Sequence, residues 1–471
     1  MSRPPPLEAG QRIDGFELRE RVHRGGMGSL WRVSRPDLTQ PAVMKVPAID
    51  EDPTAIVGFE VEQMIMPLLS GPHVPAFIAA GGFEAQPYIV MEYIEGASLR
   101  PQLEQAPLPA AQVASIGAQV AEALHDLHQQ HVIHLDLKPS NILFRPSGAA
   151  VLIDYGLARH ERLPDLLAEE FRLPLGTAPY ISPEQVLWVR DDPRSDLFAL
   201  GAVLYHLATG QRAFGNPTTI GGLRKRLYQA PTPPRAHNPD CPPWLQEIIL
   251  HCLEADAEQR YGSAAQVAFD LTQPQTVALT ARASWTGRLP IGKRLRRWAR
   301  SLGASPQRRN VTQQLQRAPI VMAAVDLSQE WEALADALRA TVRRVLTSEP
   351  QARLACVSVL KRRIGLDTPT DEAGRNLHVQ RLVQLQHWAR PLVLPPQRVT
   401  YHVLEAPDPA EAIIDYARAN RVDHIVIGCR GVSGLRRYLG SVSTRVVAEA
   451  PCSVTVVKVS RDEALEAAPA S

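Results

Sequence analysis

The spacing of hydrophobic positions divides the 471 residues into stretches of different rhythm. After a Pro-rich start over residues 1–12, expected to be disordered, apolar and β-branched runs at Phe16–Val22, Ser29–Val33 and Ala42–Val46 read as short strands. A helical stretch follows from about Thr54 to Leu69, then further strands ending at Tyr88–Tyr93. The period then lengthens. In QVASIGAQVAEALHDLH, Val113, Ile116, Val120, Leu124 and Leu127 recur at steps of three or four, the stripe of a helix with one buried face. Helices dominate from there to about residue 271, and DLFALGAVLYHLATG is so apolar that its helix is expected to be buried on most sides. A small β-rich lobe (13–93) is thus followed by a larger helical one (94–271).

Further on, strand and helix alternate. PIVMAAVDL, RLACVSVL, DHIVIGC and CSVTVVKV are apolar without alternation, as strands covered on both faces are. Amphipathic helices lie between them. One starts with Asp408, Pro409 and Glu411: a cap residue, a proline at the first helical position and the reciprocal acid three residues after the cap. Such alternation implies an α/β unit with a doubly wound parallel sheet over residues 318–459, leaving a tail at 460–471. The chain is therefore expected to be multidomain, as its length also requires at roughly 100 to 200 residues per domain.

Charge adds a fourth object. The net charge is +2, yet Leu271 through Val325 holds no acid and ten Arg or Lys, which leaves −8 for the remainder. This basic stretch marks a linker over 272–317. Within it, Pro290 and Gly303 frame a predicted helix at about 290–302, with Ile291, Leu295, Trp298 and Leu302 opposite Lys293, Arg294, Arg296, Arg297 and Arg300. That helix suits an acidic face of the chain itself, an anionic membrane surface, or an acidic partner; no specific nucleic acid is expected. No apolar run reaches the roughly 18 residues of a membrane span and the N-terminus lacks a signal-peptide core, so a cytoplasmic protein, peripheral at most to the inner membrane face, is expected. Five cysteines without a CxxC pair read as reduced thiols.

The candidate chemistry lies in the first half. HRGGMGSL, His23 to Leu30, places glycines between two strands, where backbone amides can approach phosphate. Lys45 ends the strand AVMK, and Glu62 lies on the next helix. VIHLDLKPSNIL, Val132 to Leu143, spaces Asp136, Lys138 and Asn141 as a catalytic loop, and VLIDYG delivers Asp154 thirteen residues later. Together these are the parts that phosphoryl transfer from ATP requires. His125, His128, His131 and His134 recur every third residue, but a helix turns about 100° per residue, so they do not share one narrow face and are not read as a metal site.

These motifs, with GTAPYISPE (Ser182, Pro183, Glu184), Asp196 in RSDLFALG and Arg260 in CLEADAEQRY, make residues 13–271 resemble the bacterial members of the eukaryotic-type Ser/Thr protein kinases. The resemblance implies a two-lobed α+β fold and use of ATP with magnesium, or manganese in its place. Asp136 would accept the hydrogen bond of the substrate hydroxyl, Lys138 would steady the transferred phosphate, and Asn141 and Asp154 would ligate the metal. Val22, Gly25, Gly28, Leu30, Lys45, Glu62 and Glu92 would hold the nucleotide, and Glu184 would pair with Arg260. Lys138 and Thr177 point to a Ser/Thr acceptor on a protein substrate. Four positions depart from the family pattern: His23 at the first glycine of the phosphate loop, Val43 for alanine, Tyr155 for phenylalanine and Leu135 for arginine. The missing arginine would have read a phosphate on the activation segment. That segment, between Gly156 and Gly176, contains no Ser, Thr or Tyr. Receiver and phosphosite are absent together, so the segment is expected to be ordered by Leu163, Leu166, Leu167 and Phe171, and its control to come from the C-terminal fold.

AVDLS near its start, DHIVIGCRG and GSVSTRVVAEAPCSVTVV make residues 318–459 resemble the universal stress proteins, a fold like the adenine-nucleotide α-hydrolases. The resemblance implies that Asp326 would contact a nucleoside, that Gly428, Gly431, Gly440 and Ser441 would meet its phosphates, and that CSVTVVKV would be the strand of a homodimer. Eight residues separate Gly431 from Gly440 where the ATP-binding branch typically has nine, so the non-binding branch stays open. Two functions follow for the whole: a Ser/Thr kinase regulated by a stress domain, or a nucleotide-binding scaffold that signals by conformation.

Overall fold

A computed structural model describes residues 7–25, 28–48, 53–287, 319–327, 332–362, 370–371, 376–395, 398–429 and 440–458. The predicted basic helix at 290–302, the tail 460–471 and Gly431 lie outside the described residues. Among the described residues no helix is long and apolar enough to cross a membrane.

The first lobe is an antiparallel sheet of six strands in the order Arg12–Ile13, Phe16–Gly25, Gly28–Ser34, Ala42–Pro47, Tyr88–Glu92, Phe77–Gly81. Side chains alternate across a strand, so Trp31, Val33, Met44, Val46, Tyr88 and Val90 gather on one face with Phe16 and Leu18. From the other face Val43, Ile89 and Met91 meet Ile56, Val57, Phe59, Val61 and Ile65 of the helix Pro53–Ile65. Each such buried side chain contributes roughly 1.5–3 kcal/mol, and together they fix the helix that carries Glu62. Residues 7–12, read as part of a disordered start, join this sheet: Gly10 donates to Leu18 O at 2.7 Å and Leu18 to Gln11 O at 2.8 Å.

In the larger lobe the helix Ala110–Gln129 buries all five residues of the predicted stripe and packs on Arg194–Thr209 and Ala264–Thr272. The lobe continues beyond residue 271. Residues 274–285, assigned by charge to the linker, pack on Pro243–Cys252. The reason is electrostatic: Arg282 donates to Glu247 at 2.8 Å and to Glu254 at 3.3 Å, while Gln246 holds the carbonyls of Arg282 and Trp285.

The C-terminal domain is a parallel sheet of five strands, ordered Val399–Ala406, Arg353–Lys361, Ile320–Ala324, His424–Cys429, Ser453–Lys458. Alternate residues supply opposite faces. Val321, Ala323, Leu354 and Cys356 meet Leu338, Val342, Leu382 and Leu385 on one side, and Ile320, Met322, Ala355 and Ile425 meet Ile413, Ile414, Ala417 and Val446 on the other. This is the doubly wound α/β arrangement that the apolar runs predicted.

Candidate active site

The catalytic loop hangs on Asp196, at the start of the buried helix Arg194–Thr209. Its carboxylate accepts from the backbone N–H of His134 and of Leu135, each at 2.8 Å, and lies 2.9 Å from His128 Nε2. Burial works to raise its pKa, but the hydrogen bonds from His128 and the loop hold it below the usual carboxylate value. Anchored in this way, Leu135 takes a left-handed conformation at φ +60° and is buried. Its carbonyl accepts from Gln185 Nε2 at 2.7 Å, and the same amide donates to Leu175 O at 2.9 Å, tying the loop to the end of the activation segment.

Asp136 follows and is held from three directions. Lys138 Nζ reaches Oδ2 at 2.5 Å, Thr177 donates its hydroxyl to Oδ1 at 2.6 Å and its N–H at 3.0 Å, and Asn141 Nδ2 donates to the Asp136 carbonyl at 3.1 Å. The carboxylate therefore has little rotational freedom, which suits a group that must meet an acceptor hydroxyl in one orientation.

Across the cleft Lys45 bridges Glu62 Oε2 at 2.5 Å and Asp154 Oδ1 at 2.8 Å. Burial opposes the charge on Lys45, but the two carboxylates outweigh it and raise its pKa. In turn the charge of Lys45 holds Asp154 at about 2. Nothing in the sequence marks how these elements approach. Gly58, one turn before Glu62, lies against Gly156; a Cβ on Gly58 would stand 3.0 Å from Gly156 O, so two glycines set the distance between that helix and residues 154–156. Tyr155, where the family has phenylalanine, is fully buried and donates its hydroxyl to Leu152 O at 2.8 Å, so the added polar group is satisfied.

The phosphate-loop strands close at the pair Gly25 and Gly28, with residues 26–27 outside the described set. Gly28 has φ +137°, and a Cβ there would come within 2.1 Å of Val46 O, so no other residue fits. Leu30 pairs opposite Lys45, and Val22 is exposed on the first strand. The structure does not bring the Glu92 side chain into the cluster: it forms a bidentate pair with Arg145 at 2.5 and 2.9 Å, bracing the connection between the lobes. Glu184 and Arg260 pair at 2.7 Å. The four histidines go separate ways, with His131 at 2.9 Å from Glu161 and His134 at 3.1 Å from Ile153 O. Also unforeseen was Arg190, which reaches Asp165 at 2.9 Å and donates to Leu157 O at 3.1 Å; Asp165 caps the helix Leu166–Glu170.

In the C-terminal domain Asp326 follows the central strand Ile320–Ala324, and Gly428 lies on the neighbouring strand His424–Cys429. Gly440 donates its N–H to Cys429 Sγ at 3.2 Å and caps the helix that Ser441 begins.

Residues 16–270 match the protein kinase domain family and residues 319–458 the universal stress protein family. Serine/threonine-protein kinase PknB of Mycobacterium leprae is 32% identical over 278 residues, which cover 58% of this chain and 44% of that protein. Its namesake from Mycobacterium tuberculosis (strain ATCC 25618 / H37Rv) is 31% identical over 267 residues, 55% of this chain and 43% of that one. The probable serine/threonine-protein kinase CPE1738 of Clostridium perfringens is 31% identical over 259 residues, 54% and 38% respectively. The chain spans less than half the length of each of these relatives. With its lobes, catalytic loop and Lys45–Glu62 bridge in the family's order, the chain belongs to the protein kinase family and carries a universal stress protein domain after the kinase domain.

Proposed function

We propose that this protein transfers the terminal phosphoryl group of ATP to a Ser or Thr hydroxyl of a protein substrate, without needing phosphorylation of its own activation segment. The observation that carries the reading is the double bridge of Lys45 to Glu62 and Asp154, facing an Asp136 fixed by Lys138 and Thr177. Phosphoryl transfer asks of a protein mainly positioning and charge compensation. Lys45 would hold the α- and β-phosphates, Asp136 would orient the acceptor hydroxyl and take its proton, and Lys138 would offset the charge of the group in transit.

The family uses ATP and a divalent metal ion. Asp154 and Asn141 fit such an ion: Asp154 brings a carboxylate held ionised by Lys45, and Asn141 commits its amide nitrogen to the Asp136 carbonyl, while its Oδ1, which accepts from Ser140 Oγ at 3.2 Å, keeps a second lone pair for the ion. Hard oxygen donors suit magnesium, and manganese next. The ion would neutralise charge on the phosphates.

Independence from a phosphate is supported by Leu135 and by the packing of the segment, where Leu166 and Leu167 are buried and Leu163 and Phe171 lie against the core. In the stress domain we assign adenine nucleotide to Asp326, Gly428, Gly440 and Ser441, and a second copy of the chain to the edge strand Ser453–Lys458. The basic stretch 288–303 is assigned to an anionic surface, and vesicle flotation of a chain lacking it, with unchanged flotation, would remove that assignment. The central test incubates the full chain with labelled ATP and magnesium beside Asp154→Asn. If the wild type binds ATP yet labels neither itself nor a basic protein substrate, the scaffold reading replaces the kinase.

A further inference from the structure

The helix Leu166–Glu170 of the activation segment ends in two adjacent carboxylates that are buried: the side chains of Glu169 and Glu170 keep 10% and 4% of their exposure. Buried acids neutralise unless cations or hydrogen bonds compensate them. Here the compensation comes from the stress domain. Glu169 Oε1 meets the Arg353 guanidinium, Oε2 accepts from Tyr416 OH at 3.1 Å and lies 3.0 Å from His402 Nε2, and Glu170 Oε1 lies 2.9 Å from Nδ1 of the same ring. Asn420 Nδ2 donates to the Glu169 carbonyl at 3.1 Å, and Arg172 donates to Asn420 Oδ1 at 3.2 Å. His402 itself is fully buried in the edge strand Val399–Ala406, so both its ring nitrogens are spent on this contact and on Thr400 Oγ1.

The kinase side of the contact adds a third acid, while its cation Arg172 is turned to Asn420. Glu60 lies two residues before Glu62 on the helix Pro53–Ile65, which packs against Leu166–Glu170. Burial, and then the charge of Glu170, pushes the Glu60 carboxyl up to about 8. Without Arg353 and His402, acids would face one another across the junction between the activation segment and the helix that presents Glu62 to Lys45.

We propose that the stress domain is the reader of its own kinase's activation segment: Arg353 and His402 receive the fixed charges of Glu169 and Glu170, and docking holds the Glu62 helix in its working place. A phosphate and the arginine beside the catalytic Asp usually do this within one domain; here the mark is two glutamates and the reader sits in another domain. Arg353 and His402 are positioning residues, since they touch no reacting atom. The proposal rests on the kinase reading above.

The test uses the full chain: wild type, Arg353→Met, His402→Gln, Glu169→Gln and the double variant Glu169→Gln/Arg353→Met, with circular dichroism as the folding control. Two rates are read, phosphoryl transfer from labelled ATP to a basic protein substrate and tryptic cleavage after Arg172. Loss of either cation is expected to lower kcat about tenfold and to speed cleavage, with KM for ATP changed less than about twofold. Adding Glu169→Gln to Arg353→Met should change both rates less than Glu169→Gln does in the wild type, because one of the partners of Glu169 is already gone. An unfolded stress domain in Arg353→Met would show the same non-additivity, so Glu169→Gln alone, which leaves every stress-domain side chain in place, is expected to give the same losses. Wild-type rates in Arg353→Met and His402→Gln, or a Glu169→Gln effect of equal size in both backgrounds, overturn the proposal. A wild type that transfers nothing sinks the kinase reading, and the activating role with it; an active wild type matched by active variants sinks the reader alone.

Discussion

Thr177 donates its hydroxyl to Asp136 Oδ1 at 2.6 Å and its backbone N–H to the same oxygen at 3.0 Å, so one residue aims the carboxylate to which we assign the acceptor hydroxyl. A hydrogen bond to a charged group contributes roughly 1.5–3 kcal/mol. Thr177→Ala should therefore lower kcat about ten- to a hundredfold, and Thr177→Ser should keep most of it. Steady-state kinetics at saturating ATP check this; an unchanged kcat in the alanine variant would detach Thr177 from Asp136.

Arg260 has no side-chain exposure and reaches Glu184 at 2.7 Å and the carbonyls of Glu254 and Arg194 at 2.7 and 2.8 Å. Breaking such a pair leaves a buried carboxylate without its cation and costs about 3–5 kcal/mol. Arg260→Met is expected to lower the urea midpoint of the kinase domain accordingly, and a loss under about 1 kcal/mol would contradict the pairing.

His402 makes the docking pH-dependent. Burial alone would lower its pKa, but Glu169 and Glu170 raise it to about 9; burial works to raise the Glu169 carboxyl, but Arg353 and His402 outweigh it and lower it to about 2. The groups facing the ring are Glu169 and Glu170 of the activation helix, Glu60 of the Glu62 helix, Arg353 of the adjoining strand and Tyr416. A raised histidine stabilises fully below its ordinary value near 6.5 and loses that contribution as pH climbs through about 9. The depressed Glu169 acts in the opposite sense: its contribution holds above its ordinary 4.5 and fades as pH falls through about 2. Ionisation of Glu60, pushed up to about 8, works in the same direction, so tryptic cleavage after Arg172 should rise between pH 7 and 10 relative to an unstructured peptide control, and His402→Gln should remove the part of that rise near pH 9. Parallel profiles for wild type and variant would speak against a charged His402.

Leu135→Arg restores the residue that the family carries, but not its environment. Leu135 is buried, and the segment from Leu157 to Leu175 offers no hydroxyl to phosphorylate. We expect the variant to lose more than about 2 kcal/mol of stability, since a buried charge would lack its partner, and to gain no dependence on prior phosphorylation. Thermal melting and activity after phosphatase treatment measure the two halves.

Much of the kinase site was readable because its parts are local. Asp136, Lys138 and Asn141 sit within one loop, and the stripe from Val113 to Leu127 announces its helix. What escaped depends on contacts between distant residues. Gly58 and Gly156 look like ordinary glycines until helix and loop touch, and the charge of Arg282 looked like linker until Glu247 accepted it. Glu92 has the place of a nucleotide-binding residue, yet Arg145 takes its carboxylate. The strand Val399–Ala406 does not stand out in the sequence, because Thr400, His402 and Glu405 interrupt its apolar run. His402 faces Glu169 and Glu170 and is held by Thr400, while Glu405 pairs with His378 and Arg362.

The two carboxylates at the end of the activation helix are encoded in the chain rather than added to it. No phosphatase can erase them, and no upstream kinase has to write them. A signalling protein built on that contact has no chemical memory in its activation segment: its output follows the present state of the domain at Arg353 and His402, and resets as soon as that state changes.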